Sequence, residues 1–592
     1  MNARHTSMPD RTGGGGVNPL RTLRALAIAW LILGIVPGSR ALDYEKLAPK
    51  APESRKGEIE MPPVPKPAEG DDARVLVKNL KGLVFVDSPG KVKKGGVSGV
   101  RGIQANNIPL LQDPSFKPVV ERYFGKPVTL RMLNTIVRDI IIYYRDNDRP
   151  VVDVIVPEQE ITGGIIQLVV IEAKLGQVRV EGNKWFSSED LADDVRIKSG
   201  ENFDEEILRS DLRWINNNPF RDVNFIYTPG KDPGTADLEL QVKDRFPVRV
   251  FVGYEDTGND LTGDERFLTG LNMSDIFGLD QQLNYQYTTD PTGTKLIAHT
   301  GSYIIPLPWR HTLTFFGGYA ESKADVVAPF TLQGVSWQVS ARYLVPLPDI
   351  GPYQHEAQAG FDFKQSNNNL EFGGATVTNT PTEILQWMLG YDGSMKDEWG
   401  ATTAGISLFV SPGGWTDKNR TANFQVYQAF ATDEYVYGIV DFDRVTRLPW
   451  DFTLNTRFKY QFSNANLLSS EQFGLGGYQT VRGYDEREAN GAEGYNTSVE
   501  LRTPSLSLGD WVGIEGAKDQ LQFLFFWDYG VTGNRTLLSG EDPNIVLSGV
   551  GPGVRYVINP YLSFRFDYGF QLVQAVATRH NSRGHIGVVL SY

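Results

Sequence analysis

From residue 248 to the C-terminus, apolar and polar residues alternate. Phe452, Leu454, Thr456, Phe458, Tyr460 and Phe462 interleave with Thr453, Asn455, Arg457, Lys459 and Gln461. Phe564, Phe566, Tyr568, Phe570 and Leu572 interleave with Ser563, Arg565, Asp567, Gly569 and Gln571. The same parity places Leu283, Tyr285 and Tyr287 on one face, and likewise Trp337, Val339, Ala341 and Tyr343. A period of two with one aromatic-rich side predicts antiparallel strands, and about sixteen such segments fit. Their connections alternate in length. Short ones, often marked by proline, fall at residues 306–309, 346–348, 448–450 and 559–560. Longer polar ones fall at 365–380, 413–423, 464–495 and 531–544. Dry outside, wet inside, with short turns at one rim and long loops at the other, the pattern fits a transmembrane β-barrel over residues 246–592. A soluble β-sandwich or propeller would share the strand parity.

Before residue 246 the pattern is different. Residues 73–173 read as a small α+β unit. Val75 to Val86 is strand-like, and Thr129 caps a helix with Leu130, Leu133, Val137, Ile140, Ile141 and Tyr144 on one face. Two strands follow, VVDVIV and GIIQLVVIEA. Residues 174–245 repeat the plan: the strand QVRVEGN, a capping box at Ser187 and Asp190, and a helix from Asp204 with Leu208, Leu212 and Ile215 inward. Two more strands close it. Residues 42–72 are rich in proline and charge, without an apolar period, and predict an extended, mobile linker. Residues 1–41 read as a signal peptide: Arg21 and Arg24 precede a 12-residue apolar run at 25–36, and a small-residue site lies near Ala41. That run is too short for the ~20 residues of a membrane-spanning helix.

Composition narrows the function. The net charge of -13 argues against nucleic acid as a partner. With no cysteine, disulfides, thiolate metal sites and cysteine nucleophiles are excluded. Six scattered histidines show no two-histidine ligand spacing. The residues therefore point to no catalytic group, no metal and no cofactor.

The stretch VRGY at 481–484 places Arg482 between Val481, Gly483 and Tyr484, in a glycine-rich loop. Downstream, Leu521, Phe523, Phe525, Trp527 and Tyr529 form one strand face, and Phe526, Asp528 and Gly530 belong to the other. The apolar face should meet lipid, so Asp528 should point into the lumen. An inward-folded loop would let the planar Arg482 guanidinium meet that carboxylate. Gly530 would permit a close approach. Spacing alone leaves open a second reading, in which Arg482 is a solvated loop residue.

VRGY, the F-x-D-x-G of Phe526, Asp528 and Gly530, and the C-terminal strand ending in Tyr592 resemble the outer-membrane transporters of two-partner secretion. These are the haemolysin-activator and filamentous-haemagglutinin-transporter type, within the barrel superfamily that carries periplasmic polypeptide-transport-associated (POTRA) domains. The likeness covers residues 73–592. It extends to VPEQEITGGIIQLVVIEAKLGQVRVEGN, similar to the junction of two POTRA domains, and to NNNPFRDVNFIYTPGKDPGTADLELQVKDRFPVRVFVGYEDTGN, similar to the passage into the barrel. It implies POTRA domains at 73–173 and 174–245 and a sixteen-stranded barrel in outer-membrane lipid. It also implies that loop 464–495 folds inward with Arg482 clasped to Asp528, and that Tyr592 ends the barrel's C-terminal signal. The implied work is secretion of one large, β-helical partner protein, captured by the POTRA domains in the periplasm. A monomer would suffice, inserted by the barrel-assembly machinery. Two other readings carry the same motifs or fold: a barrel-assembly factor of the same superfamily, and a passive porin. Many relatives start with a helix that plugs the pore, whereas residues 42–72 are a poor helix former. Asp485, Glu486, Arg487 and Glu488 read as a solvated charge run, with lumen contacts as the alternative, and residues 91–102 as a loop insertion in the first POTRA domain.

Overall fold

The computed structural model describes residues 48–52, 54, 57–64, 74–258, 262–325, 330–372, 375–378, 380–514, 518–574 and 580–592. The signal-peptide reading of residues 1–41 lies outside them. The chain divides into two compact units, residues 52–247 and residues 248–592 together with the N-terminal segment up to 51.

The first unit holds two four-stranded sheets, each covered by helices. In the first sheet the strand order is Gly102–Ala105, Gly82–Val86, Ile165–Glu172, Val152–Ile155. Helix α1 (Leu130–Arg145) packs on it, and the Thr129 hydroxyl accepts from Met132 N at 3.2 Å at the helix start. Leu133, Ile136, Val137, Ile140, Ile141 and Tyr144 are buried with Leu83, Phe85, Ile166 and Leu168. Leu130, expected on that face, is exposed. The second sheet contains Lys174–Glu181, Thr235–Asp244 and Arg221–Pro229, with helix α2 (Glu205–Ile215) burying Leu208, Leu212 and Ile215. Ser187 and Asp204 cap their helices as their sequence contexts require.

The fourth strand of the second sheet corrects the reading of the linker. Ile59–Glu60 pairs in parallel with Phe225 and Ile226. Glu58 N donates to Asn224 Oδ1 at 2.8 Å, and a Cβ on Gly57 would sit 2.0 Å from the Val223 carbonyl oxygen. The described linker is extended, as expected, but strapped to a sheet edge rather than mobile there. A two-residue strand shows no period, so its sequence gives no sign of it.

The second unit is a closed antiparallel barrel of sixteen strands. They are β1 (Val248–Glu255), β2 (Arg266–Ile276), β3 (Gln281–Thr289), β4 (Leu296–Pro306), β5 (Thr312–Asp325), β6 (Phe330–Pro346), β7 (Tyr353–Phe372) and β8 (Thr382–Asp397). There follow β9 (Gly400–Pro412), β10 (Glu434–Arg447), β11 (Thr453–Ser463), β12 (Glu493–Arg502), β13 (Asp519–Gly533), β14 (Ile545–Ile558), β15 (Leu562–Gln571) and β16 (Ser582–Ser591). A short spur, Ala375–Thr378, folds back on the end of β7. Closure pairs β1 with β16, Phe251 opposite Ser591 and Glu255 opposite Gly587. Beyond Ser591, Tyr592 N and O exchange hydrogen bonds with Val250 at 3.0 and 3.2 Å, while the Tyr592 ring stays exposed.

Parity follows the sequence. On β13, Phe523, Phe525 and Trp527 are exposed, and Leu524, Phe526 and Asp528 are buried. Two expected loops are shorter than their sequences implied. Residues 365–372 continue β7, and β13 runs on to Gly533.

Candidate functional site in the barrel lumen

The longest connection, residues 464–492 between β11 and β12, folds into the lumen as an ordered hairpin. Phe473–Leu475 pairs with Ala489–Gly491, and Phe473, Leu475, Val481, Tyr484 and Ala489 form a small core with Leu547 of β14. The loop therefore carries its own apolar support into a polar interior. Where it begins, Leu467 and Leu468 pack with Phe424, Tyr435 and Tyr437.

At the tip of this hairpin, Arg482 is 1% exposed. Its Nε donates to Asp528 Oδ2 at 2.7 Å and an Nη to Asp528 Oδ1 at 2.8 Å. This is the side-on, two-bond arrangement that a guanidinium offers a carboxylate. The other Nη donates to Glu500 Oε1 on β12 at 2.7 Å, with Asp567 Oδ1 of β15 at 3.5 Å. Ser498 Oγ accepts a further bond at 3.2 Å, and the guanidinium carbon lies 3.6 Å from the centroid of the Phe526 ring. Asp528 Oδ2 also accepts the Arg482 backbone N–H at 3.1 Å. Three carboxylates around one arginine would repel one another, but two of them have further cations. Glu500 is held by Arg502, at 2.6 Å, and by Arg457; Asp567 is held by Arg555 at 2.9 Å. Asp528 has no other ion pair among the described residues, so its charge is balanced by Arg482 alone.

Each motif position has a physical task. Gly483 adopts φ 98°, the left-handed region, and a Cβ there would lie 3.0 Å from the Gly569 carbonyl. Its N–H donates to His585 Nε2 at 3.0 Å, and its carbonyl accepts from Gln571 Nε2 at 2.7 Å. Tyr484, fully buried, donates to the Ser548 carbonyl at 2.9 Å and also reaches the Val573 carbonyl. Val481 is fully buried in the loop core. Gly530 leaves the space that Leu475 fills: a Cβ would come within 2.7 Å of it. Tyr592 stands apart from this cluster, at the seam.

The sequence reading did not find the rest of the cradle: Glu500, Asp567, Ser498, His585, Gly549 and Gly569. Glu500 and Asp567 share their strands' polar faces with Ser498 and Arg565, so parity marks them as lumenal. Nothing in one sequence marks which lumenal residues converge. Gly549 and Gly569 form the notch for the loop tip; a Cβ on Gly549 would lie 1.9 Å from the Arg482 carbonyl oxygen.

The charge run beside VRGY is not solvated. Glu486 is 8% exposed and accepts from Tyr478 N at 2.9 Å. Arg487 donates to the Ser469 and Gln472 carbonyls at 2.7 and 2.9 Å, and Asp485 pairs with Arg583 of β16. These residues fasten the hairpin to itself and to the wall. A second segment also lies in the lumen. Lys50 pairs with Glu255 at 3.1 Å, and its backbone N donates to Gln286 Oε1 at 3.1 Å. Its carbonyl accepts from Arg249 at 2.8 Å. This part of the expected mobile linker is bound to the barrel wall, through charges too few and too spread to read from composition.

Among the described residues no cluster of side chains is arranged to hold a metal ion.

Comparison with known proteins places this architecture. Residues 234–556 match the family described as haemolysin secretion/activation protein ShlB/FhaC/HecB. Residues 99–173 match the ShlB-type POTRA domain, and 173–245 the POTRA family described as surface antigen variable number repeat. The heme/hemopexin transporter protein HuxB of Haemophilus influenzae is 24% identical over 476 residues, 77% of this chain and 80% of its own length. The outer membrane transporter CdiB-2 of Burkholderia pseudomallei is 24% identical over 60% of this chain and 62% of its own. Among solved structures, CdiB from Escherichia coli superposes with a TM-score of 0.67 at 15% identity, covering 97% of this chain and 99% of that one. CdiB from Acinetobacter baumannii gives 0.59 at 18% identity, covering 97% and 98%. With POTRA domains ahead of a sixteen-stranded barrel and the family match spanning more than half its length, this chain belongs to the ShlB/FhaC/HecB family of haemolysin secretion and activation proteins.

Proposed function

We propose that this chain is a two-partner secretion translocator that moves one large, β-rich partner protein from the periplasm to the cell surface or medium. It sits in the outer membrane with its POTRA domains in the periplasm. The observation that carries the reading is the filled lumen: an ordered loop, seated by the Arg482 cradle, occupies the interior that a passive porin would leave to water. The loop is held against the wall by hydrogen bonds, ion pairs and apolar packing, so it can be moved without breaking a covalent bond.

Capture would use the first POTRA sheet. Its edge strand, Gly102–Ala105, borders a groove of about 630 Å³ whose lining mixes apolar Ile103, Pro114 and Phe124 with charged Arg101, Lys117 and Glu121. An extended partner segment can add itself as a strand there, taking affinity from backbone hydrogen bonds and selectivity from the groove's mixed apolar and charged lining. The partner then threads the lumen. The periplasm holds no ATP, so direction comes from folding outside, where each emerging β-repeat gains an interface with the last. On this reading the chain performs no catalysis, acts as a monomer, and reaches the membrane through the barrel-assembly machinery.

A photo-crosslinking residue at Gln104 of the intact transporter tests the capture step, with Asp153 on the far edge strand as the control. One large secreted protein joined at 104 and not at 153 is the expected result. Equal labelling at both positions would overturn the groove. Labelling of many barrel precursors would favour the assembly-factor reading instead.

A further inference from the structure

The lumenal loop meets the wall in two separate sectors. Arg482 seats on β12, β13 and β15, while Glu471, nearer the loop's start, seats on β7, β8, β10 and β11. Glu471 is 4% exposed. Its carboxylate accepts from Lys364 Nζ (β7) at 2.7 Å, Gln386 Nε2 (β8) at 2.9 Å and the Tyr437 hydroxyl (β10) at 2.7 Å. Its backbone carbonyl accepts from Gln461 (β11) at 2.9 Å. Directly behind, Asp362 pairs with Arg342 at 2.7 Å and accepts from the same Gln386 amide at 3.1 Å. A cavity of about 260 Å³, lined by Phe316, Arg342, Lys364, Tyr437, Glu471 and Arg487, lies between this wall and the loop. The wall and the loop are thus already parted beside the contact that Glu471 makes.

Two features distinguish this contact from the Arg482 cradle. First, the four charges cancel: Glu471 with Lys364, Asp362 with Arg342. Their side chains are 15% exposed or less. Lifting Glu471 away leaves the Lys364 ammonium beside Arg342 with one carboxylate too few. The contact is therefore made or broken as a whole, with water entering when it breaks. Second, Lys364 holds Glu471 as a point charge at one oxygen, whereas Arg482 holds Asp528 by a rigid two-bond fork. The lysine side is the easier to release. Gly476 and Gly477, both in the left-handed region at φ 102° and 95°, lie between the two anchors.

We infer that Glu471 is a release latch. Freeing it from Lys364, Gln386 and Tyr437 opens the β7–β11 side of the lumen while Arg482 stays seated as the pivot. Glu471 is a positioning residue: it sets where the loop stands and does not itself bind the reacting chain. The inference deepens the translocator reading and rests on it for its meaning, but its test does not require the passenger.

The test is the conductance of the purified full-length protein in planar lipid bilayers. Glu471→Gln keeps the shape and removes the charge; the open fraction should rise about tenfold over the parent. Lys364→Gln, acting from the wall side, should do the same, and stands in if the first variant does not insert. Combining the two, Glu471→Gln with Lys364→Gln, should raise the open fraction little beyond either single variant, since both remove the same interaction, whereas independent losses of packing would multiply. Parent-like conductance in both single variants would overturn the inference. So would a double variant whose effect is the product of the two singles. A secretome lacking no partner protein would sink the translocator reading and leave these conductances unchanged, so the two fail separately.

Discussion

Replacing Arg482 by alanine removes the cation that three buried carboxylates share. The damage is unequal. Glu500 keeps Arg502 and Arg457, and Asp567 keeps Arg555. Asp528 keeps only the residue-482 backbone N–H, and it is fully buried. Removing one member of a buried pair costs about 3–5 kcal/mol. Because only one of the three carboxylates is left without a cation, the lower figure applies. About 3 kcal/mol is a factor of roughly 150 in the ratio of seated to unseated loop. The barrel's backbone ladder does not depend on the pair, so the protein should still insert and keep its heat-modifiable mobility on gels. Trypsin added to intact cells then reports the loop. In the seated hairpin the Arg487 side chain is tied to the Ser469 and Gln472 carbonyls; unseated, its peptide bond becomes a substrate. Arg482→Ala should show cleavage after Arg487 that the parent resists, with partner secretion down at least about tenfold. Asp528→Ala should do likewise, and the double variant should be little worse than either single, since both remove the same interaction. Parent-like protease resistance with parent-like secretion in the two single variants would refute the clasp.

Three further outcomes follow from the geometry. Gly549→Ala puts a methyl group 1.9 Å from the Arg482 carbonyl oxygen, so it should unseat the loop and expose Arg487 to trypsin with every clasp residue intact. Tyr484→Phe loses the bonds to the Ser548 and Val573 carbonyls, which should cost about 1 kcal/mol of loop seating and give partial cleavage. Asp256, just past β1, accepts from Ile586 N at 2.7 Å, and burial pushes its carboxyl up to about 6. An acid raised above its ordinary value near 3.9 favours the folded state while protonated, so that advantage is lost as pH rises from about 4 through about 6. The barrel's unfolding temperature should fall over that window, and Asp256→Asn should flatten the slope; an unchanged slope in the variant would rule out Asp256 as its source.

The legible parts of this chain are those where one short segment carries its own cause. Thr129 and Asp204 cap helices whose apolar faces repeat within the segment itself. The strands that cross lipid alternate because one face is dry. Where β7 runs through residues 365–372, the sequence QSNNNLEF no longer alternates, which is why it read as a loop. The clasp was half legible. Asp528 could be aimed at the lumen by parity, and the VRGY resemblance supplied Arg482 as its partner. Glu500, Asp567 and His585 join them only through the register of β12, β15 and β16, which no local pattern encodes. The charge run at 485–488 misled for a related reason. Charges are usually solvated, but here Arg487 satisfies carbonyls just ahead of the hairpin's first strand, and Asp485 finds Arg583 on β16. Glu471 carried no motif at all; its meaning appears only when Lys364, Gln386 and Tyr437 meet around it.

The most direct test of the account is a quantitative comparison of secreted and surface proteins, with and without this gene, while outer-membrane barrel levels are tracked in the same cells. Loss of one large β-repeat protein, restored by the parent gene but not by Arg482→Ala, with other barrels unchanged, is the result expected of a dedicated translocator. A broad fall in outer-membrane barrels with no single secreted protein missing would contradict it.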